Sequence, residues 1–199
     1  TWTVLGIALA RRGTLLVDGG EIGTMVFFLA YGLFTISVGY QQPNFGYYSF
    51  DRVAQVASIL VLGPIEAAFI NGLASFIYPW QRLSKGVPLP RVVLAALNNS
   101  GLMGAITLIA GSVYSRLGGP VPLTELTGSS IVALIVLVLG MQSLNDAGML
   151  ALFALGRRSL SGFFNKFSYA LELGSGGTAV LVALIYNTMA IPILVLALA

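Results

Sequence analysis

Long apolar runs broken by short polar stretches are the dominant pattern of this chain. A bilayer core takes about 20 apolar residues of helix, and the runs recur near that length. Residues 1–10 read as the tail of a first span, ended by the polar, glycine-containing loop 11–21. Residues 22–40 form an unbroken second span. The loop 41–48 carries proline and aromatic residues, as interfacial segments do. Residues 49–80 would make a third span, but Gly63-Pro64 falls in its middle. Proline removes a backbone donor and clashes with the preceding turn, so this stretch is either a kinked helix or two shorter pieces. A basic loop at 81–90, a fourth span at 91–117 and a two-proline turn at 118–125 follow. A fifth, overlong span at 126–155 is tilted or projects past the membrane. After the basic turn 156–161 come a sixth span at 162–186, a turn at Asn187-Thr188 and an incomplete seventh span at 189–199. The chain thus reads as one all-α domain over residues 1–199, a polytopic transmembrane helix bundle of about seven spans.

Lys and Arg set the expected orientation. They occupy alternate connections: Arg11 and Arg12 in the first; Arg82, Lys85 and Arg91 around the third; Arg157, Arg158 and Lys166 around the fifth. The loops 41–48 and 118–125 have neither residue. Seven spans with this alternation put the N-terminus outside and the C-terminus in the cytoplasm.

Polar groups inside the spans each need a reason, since a charge at a helix centre costs about 2.5–3.5 kcal/mol on insertion scales. Gln142, Asn145 and Asp146 share one helix face through i, i+3, i+4 spacing, and that face must look into the bundle. Glu172 lines up with Tyr169 and Asn165. Asp51, Gln55 and Glu66 would share a stripe if their helix continued through Pro64. Asn71 lies deep in the third span, and Asn98 and Asn99 near the start of the fourth. Two readings stand side by side. In one, these groups make interhelical hydrogen bonds of about 0.6–2 kcal/mol each. In the other, Glu66, Asn98, Asn99, Asn145 and Asp146 build a polar pocket or ion path. Asp51 and Arg52, adjacent at a span end, read as an interfacial ion pair or a lipid-phosphate contact. The small-residue pairs Ala68/Gly72, Ser100/Gly104 and Gly174/Thr178 mark faces where helix backbones approach. The Gly-Ser-Gly-Gly stretch at 174–177, inside an apolar run, reads as close packing or a local break.

Composition sharpens the class. Hydrophobic residues make up 57% of the chain and charged ones 9%, against about a quarter charged in soluble domains. Lipid must cover most of the perimeter; mean hydropathy is +0.90. There are no cysteines and no histidines. That removes thiolate and imidazole metal ligation, axial haem ligation through His, and Ser–His–Asp or Cys–His catalysis. No metal, no cofactor and no enzymatic activity are expected. The net charge of +3 is too small and dispersed to imply nucleic acid as a partner.

A set of short motifs adds a resemblance. Ser49-Phe50-Asp51 leads into a run ending in Leu62-Gly63-Pro64, then an Ala-rich helix, Pro79-Trp80 and Arg82. The next span opens with Arg91, carries Asn98 and Asn99, and closes on Tyr114, Leu117, Gly118 and Gly119; Asn145 follows in a later span. Over residues 22–199 this resembles the N-terminal multispan membrane region that precedes bacterial HD-GYP phosphodiesterase and GGDEF diguanylate cyclase domains. The resemblance implies a sensory or anchoring module in the bacterial inner membrane, with an output domain following on the cytoplasmic side. Two alternatives remain open: the membrane component of a small-solute transporter, of the kind that energy-coupling-factor systems use, and an accessory subunit of a bioenergetic or photosynthetic complex. The expected partners are the lipid bilayer and other membrane subunits or further copies of the chain.

Overall fold

The computed structural model describes residues 1–11, 19–42, 46–155 and 166–189. The elements run α1 (Trp2–Arg11), α2 (Gly19–Ser37), β1 (Gly39–Gln42), β2 (Gly46–Ser49), α3 (Asp51–Leu62) and α4 (Pro64–Ile77). A 3-10 helix (Tyr78–Lys85) then leads to α5 (Leu89–Arg116), α6 (Gly128–Leu155) and α7 (Lys166–Thr188). The fold is helical, and among the described residues four helices are long and apolar enough to cross a membrane: Gly20–Ser37, Leu89–Arg116, Gly128–Leu155 and Tyr169–Thr188. This is the signature of a membrane protein. The seventh span expected at 189–199 lies outside the described residues apart from Met189. Within the expected loop 41–48, β1 and β2 pair as a small antiparallel hairpin, Tyr40 opposite Tyr48.

The largest departure from the sequence reading is the third span. Gly63 holds φ 94°, ψ 172°, a region essentially confined to glycine, and Pro64 follows as the first residue of α4. The two helices have 12 and 14 residues, about 18 and 21 Å of rise, so neither crosses a ~30 Å hydrocarbon core. They also fold back on each other. Asn71 Nδ2 donates to Ser58 Oγ at 3.0 Å, although those residues would stand about 20 Å apart on one continuous helix. Residues 49–80 are therefore a helical hairpin, with its tip at Gly63-Pro64 and both ends at the same end of the bundle. Of the two expected forms, the broken one is found.

The break leaves a backbone debt that the tertiary structure settles. In a continuous helix the N–H of residue 64 would bond the carbonyl of Leu60, and proline has none. The Leu123 N–H, from the connection between α5 and α6, donates to Leu60 O at 2.8 Å instead. Leu123 is fully buried, so this connection dips into the bundle and closes the hairpin tip. Gly63 N–H donates to Ile59 O at 3.0 Å and finishes α3.

α3 is the centre of the molecule. Nine of its residues, Arg52 to Leu60, are buried, and Val56, Ile59 and Leu60 pack in one core with Phe28, Ile106, Leu137, Met141 and Val182. α4 lies antiparallel against α5 along a seam of small residues. A Cβ on Gly111 would stand 2.9 Å from Pro64 Cβ, one on Gly104 3.5 Å from Ala68 O, and one on Gly72 3.5 Å from Ser100 O. The Ala68/Gly72 and Ser100/Gly104 pairs therefore face each other. The Gly174/Thr178 pair does not make such a contact: both are exposed, and nothing lies within 4 Å of a Cβ on Gly174. Gly176 takes that role, since its Cβ would meet Val138 of α6 at 2.8 Å. The 174–177 stretch stays helical within α7.

The bundle has a tip end and a base end. Tyr186 of α7 bonds Thr24 of α2, and Asn187 bonds Leu123, so the start of α2 and the end of α7 lie at the tip. Phe50 N–H bonds Thr35 O, and Tyr169 of α7 bonds Asp146 of α6. The end of α2, the end of α6 and the start of α7 thus lie at the base. The neutral connection 41–48 and the basic one at 81–90 share that base, so basic and neutral loops do not alternate across the bundle.

Two outcomes test this arrangement. Gly63→Ala finds ordinary 3.6 Å contacts for its Cβ but a backbone strained by about 1–3 kcal/mol; the unfolding midpoint in detergent is expected to fall, and an unchanged one would contradict the turn. Because the chain has no cysteine, single cysteines at Phe50, Leu83 and Met189 report sidedness directly. In sealed vesicles an impermeant maleimide is expected to label Phe50→Cys and Leu83→Cys from one face and Met189→Cys from the other. Labelling of the first two from opposite faces would rule the hairpin out.

Candidate functional site

Polar side chains that the sequence scatters along the spans collect in three places. The first is at the base of α3. Ser49 Oγ donates to Asp51 Oδ1 at 2.6 Å and Gln55 Nε2 to Asp51 Oδ2 at 2.7 Å. Arg52 Nε donates to Glu172 Oε2 at 2.7 Å and its Nη1 to Gln55 Oε1 at 3.0 Å. Gln55 works because its amide has both a donor and an acceptor, and it joins the acid of one residue to the cation of another. Asp51 sits in the first turn of α3, where the helix dipole favours an anion. The line continues inward: Ser58 Oγ donates to Gln55 O at 2.8 Å and accepts from Asn71, which is buried.

This geometry corrects the Asp51–Arg52 ion pair expected from adjacency. Neighbours on a helix point about 100° apart, so they do not face each other. Arg52 reaches across to α7, where the Arg52 and Glu172 side chains are 6% and 19% exposed. It is not at a lipid surface. In place of a local pair there is a buried bridge between two elements far apart in sequence.

The second place joins α6 to α7. Gln142 Nε2 donates to Asp146 Oδ1 at 2.9 Å, and Tyr169 OH to Asp146 Oδ2 at 2.7 Å. Asn145 is half-buried beside them, while Gln142 Oε1 is buried with no hydrogen-bond partner. Asn165, expected to align with Glu172, lies outside the described residues.

The third is a cavity of about 280 Å³ at the tip, near the lower limit of small-ligand pockets. α2 contributes Glu21 and Thr24, the hairpin Leu62 and Glu66, and α7 Tyr186 and Asn187. Tyr186 OH donates to Thr24 Oγ1 at 2.8 Å and Asn187 Nδ2 to Leu123 O at 2.7 Å, which fixes the walls. Of these residues only Glu66 stands out in the sequence as a candidate site residue; the others come from α2, α3 and α7 with no shared spacing.

The single pocket expected from Glu66, Asn98, Asn99, Asn145 and Asp146 is not assembled. Glu66 is at the tip and Asp146 toward the base. Asn98 and Asn99 are exposed on α5, whose buried face carries Ala96, Ser100, Gly104, Thr107 and Gly111. Asn98 is two residues from Ser100, about 200° around the helix. Among the described residues no group of three or more acids is placed to hold a metal ion. No protein-family profile, no curated protein and no solved structure matches the chain.

The bridge at the base has a measurable signature. Arg52→Met leaves the half-buried Glu172 without its cation. Breaking a fully buried pair costs about 3–5 kcal/mol, and a loss below that range is expected here, where the Glu172 side chain is 19% exposed. The double variant Arg52→Met/Glu172→Leu removes both charges and is expected to recover most of that loss in thermal unfolding. A double variant as unstable as the single one would show that the pair is not coupled.

Proposed function

We propose that this protein is a non-catalytic membrane sensory module in which a small solute occupies the tip cavity and α3 carries the occupancy to the base. The observation behind this reading is that one short helix touches both places. Val61 and Leu62 at its end line the cavity, and Arg52 at its start bridges to Glu172 of α7. A helix of 12 residues buried on most sides moves as a unit, so a shift at the tip is felt at the ion pair. Two states of such a hairpin differ by the contacts a ligand makes in one of them, which is all that a switch requires.

The sidedness fits the same reading. Arg82, Lys85, Arg91 and Lys166 are at the base. Arg116 ends α5 at the tip. By the positive-inside rule the base is cytoplasmic and the cavity opens toward the outside of a bacterial inner membrane. The end of α7 is then outside, and the resemblance to signalling proteins puts an output domain on the other side, in the cytoplasm. Lipid surrounds the bundle, and other membrane subunits or further copies of the chain are its protein partners.

The transport alternative predicts a different fate for the solute. With Thr24→Cys as the only thiol in vesicle-reconstituted protein, a panel of amino acids, amines, nucleobases and vitamins is screened for protection from maleimide. A protecting compound that also changes labelling of Phe50→Cys, without accumulating in the vesicles, is the expected result. Protection with accumulation and no change at Phe50→Cys would assign the protein to solute transport. Protection by no member of the panel would remove the cavity from the reading.

A further inference from the structure

Asp146 places a carboxylate deep in the membrane with no cation beside it. Its level follows from Gly148, two residues further on, where a Cβ would stand 2.5 Å from Leu102 Cδ1. Leu102 lies at the midpoint of the long span α5, and Asp146 is about 3 Å from that level along α6. Both carboxylate oxygens accept hydrogen bonds, Oδ1 from Gln142 Nε2 and Oδ2 from Tyr169 OH, which is the pattern of the ionised group. Among the described residues no Lys or Arg is paired with it, and the buried Arg52 is held by Glu172. Bonds from an amide and a phenol spread this charge without cancelling it. A charge left uncancelled within a span needs a reason of its own.

A second observation points to the same spot. Gln142 is 7% exposed, and its Oε1 is buried with no hydrogen-bond partner among the described residues. The nitrogen of that amide touches Asp146. The two ends of an amide are about 2.3 Å apart, so the orphaned oxygen stands about 4–5 Å from Asp146 Oδ1. Asn145, half-buried on the same helix face, brings a further amide oxygen within one turn. Each carboxylate oxygen has used one of its two lone pairs, and Gln142 Oε1 has used neither. Water would satisfy the amide and leave the charge as it is, whereas a cation satisfies both. Hard cations take oxygen ligands at about 2.3–2.6 Å, and an ion of that size spans the gap between the two oxygens. The single negative charge selects a monovalent ion, because a divalent one would leave a net positive charge in the same dry place.

We infer that Gln142, Asn145 and Asp146 of α6, with Tyr169 of α7, bind one monovalent cation of sodium's size, held between the Asp146 carboxylate and the Gln142 amide oxygen. Tyr169 belongs to α7, so the ion strengthens the join between α6 and α7. The inference does not depend on what the tip cavity binds.

The test is equilibrium binding of radioactive sodium to the full chain in detergent, with N-methylglucamine chloride holding the ionic strength constant. One saturable sodium per chain is expected, and the thermal unfolding midpoint is expected to rise with sodium over the same concentrations. Asp146→Asn, which keeps the shape and loses the charge, is expected to abolish both effects. Gln142→Met, which keeps the volume and loses the amide, is expected to weaken binding about tenfold to a hundredfold, the worth of one contact to a charged group. Circular dichroism of both variants in N-methylglucamine is expected to match the parent, so that lost binding reports the site. A parent protein that binds no sodium would overturn the inference however the variants fold. Sodium binding that survives Asp146→Asn unchanged would do the same. So would an infrared band of a protonated carboxyl that disappears in Asp146→Asn, since a proton would then stand where the ion is placed.

Discussion

The hydrogen bond from Leu123 N–H to Leu60 O holds the architecture in its observed form. A helix broken by proline inside a membrane exposes a carbonyl that lipid cannot satisfy, and such breaks persist only where protein supplies a partner. Here the partner, Leu123, comes from far along the chain, and several consequences follow from that one closure. The connection between α5 and α6 must dip inward, the hairpin tip is sealed, and α4 is pressed against α5 closely enough that glycine is needed at 111. The tip cavity exists because the sealed turn and the ends of α2 and α7 meet without filling the space between them.

Polar bonding does the corresponding work at the base. α3 has little room for water, so Arg52, Gln55, Ser58 and Asn71 must satisfy one another and Glu172. The result is directional in a way apolar packing is not. Leucine contacts let helices slide, whereas the Arg52–Glu172 bridge admits α3 and α7 at one register. The Tyr169–Asp146 bond does the same for α7 and α6, two helices that flank an apolar groove of about 270 Å³. The long helices α7 and α6 are thus referenced to α3 through a few hydrogen bonds.

Some readings from residue spacing needed only local geometry. Gln142 and Asp146 meet because i, i+4 spacing puts them on one face. Ala68/Gly72 and Ser100/Gly104 face each other because lipid offers no other reason to spend four small positions along two helices. Others failed for a common reason. Asp51 and Arg52 are neighbours in sequence but not partners in space. Asn98 and Asn99 are polar within a span, which suggests an interior, yet the small residues of α5 had already claimed the inward face. The third span was counted by length and hydropathy, and neither quantity distinguishes one crossing of 32 residues from a hairpin of two halves.

What the sequence by itself determined is the solvent and the repertoire. Its scarcity of charge requires lipid, its run lengths require helices, and the absence of His and Cys removes whole classes of chemistry. Gly63-Pro64 required an interruption at a known place, because glycine alone tolerates that backbone and proline alone lacks the donor. Which way the chain turned after the break, and therefore which loops share a side of the membrane, was decided by the tertiary structure. The Leu60 carbonyl, the Ser58 hydroxyl and the Arg52 guanidinium found partners on segments far along the chain, at Leu123, Asn71 and Glu172. Hydrogen-bond satisfaction in a medium without water is a property of the whole assembly, and local spacing does not encode the distant half of each bond.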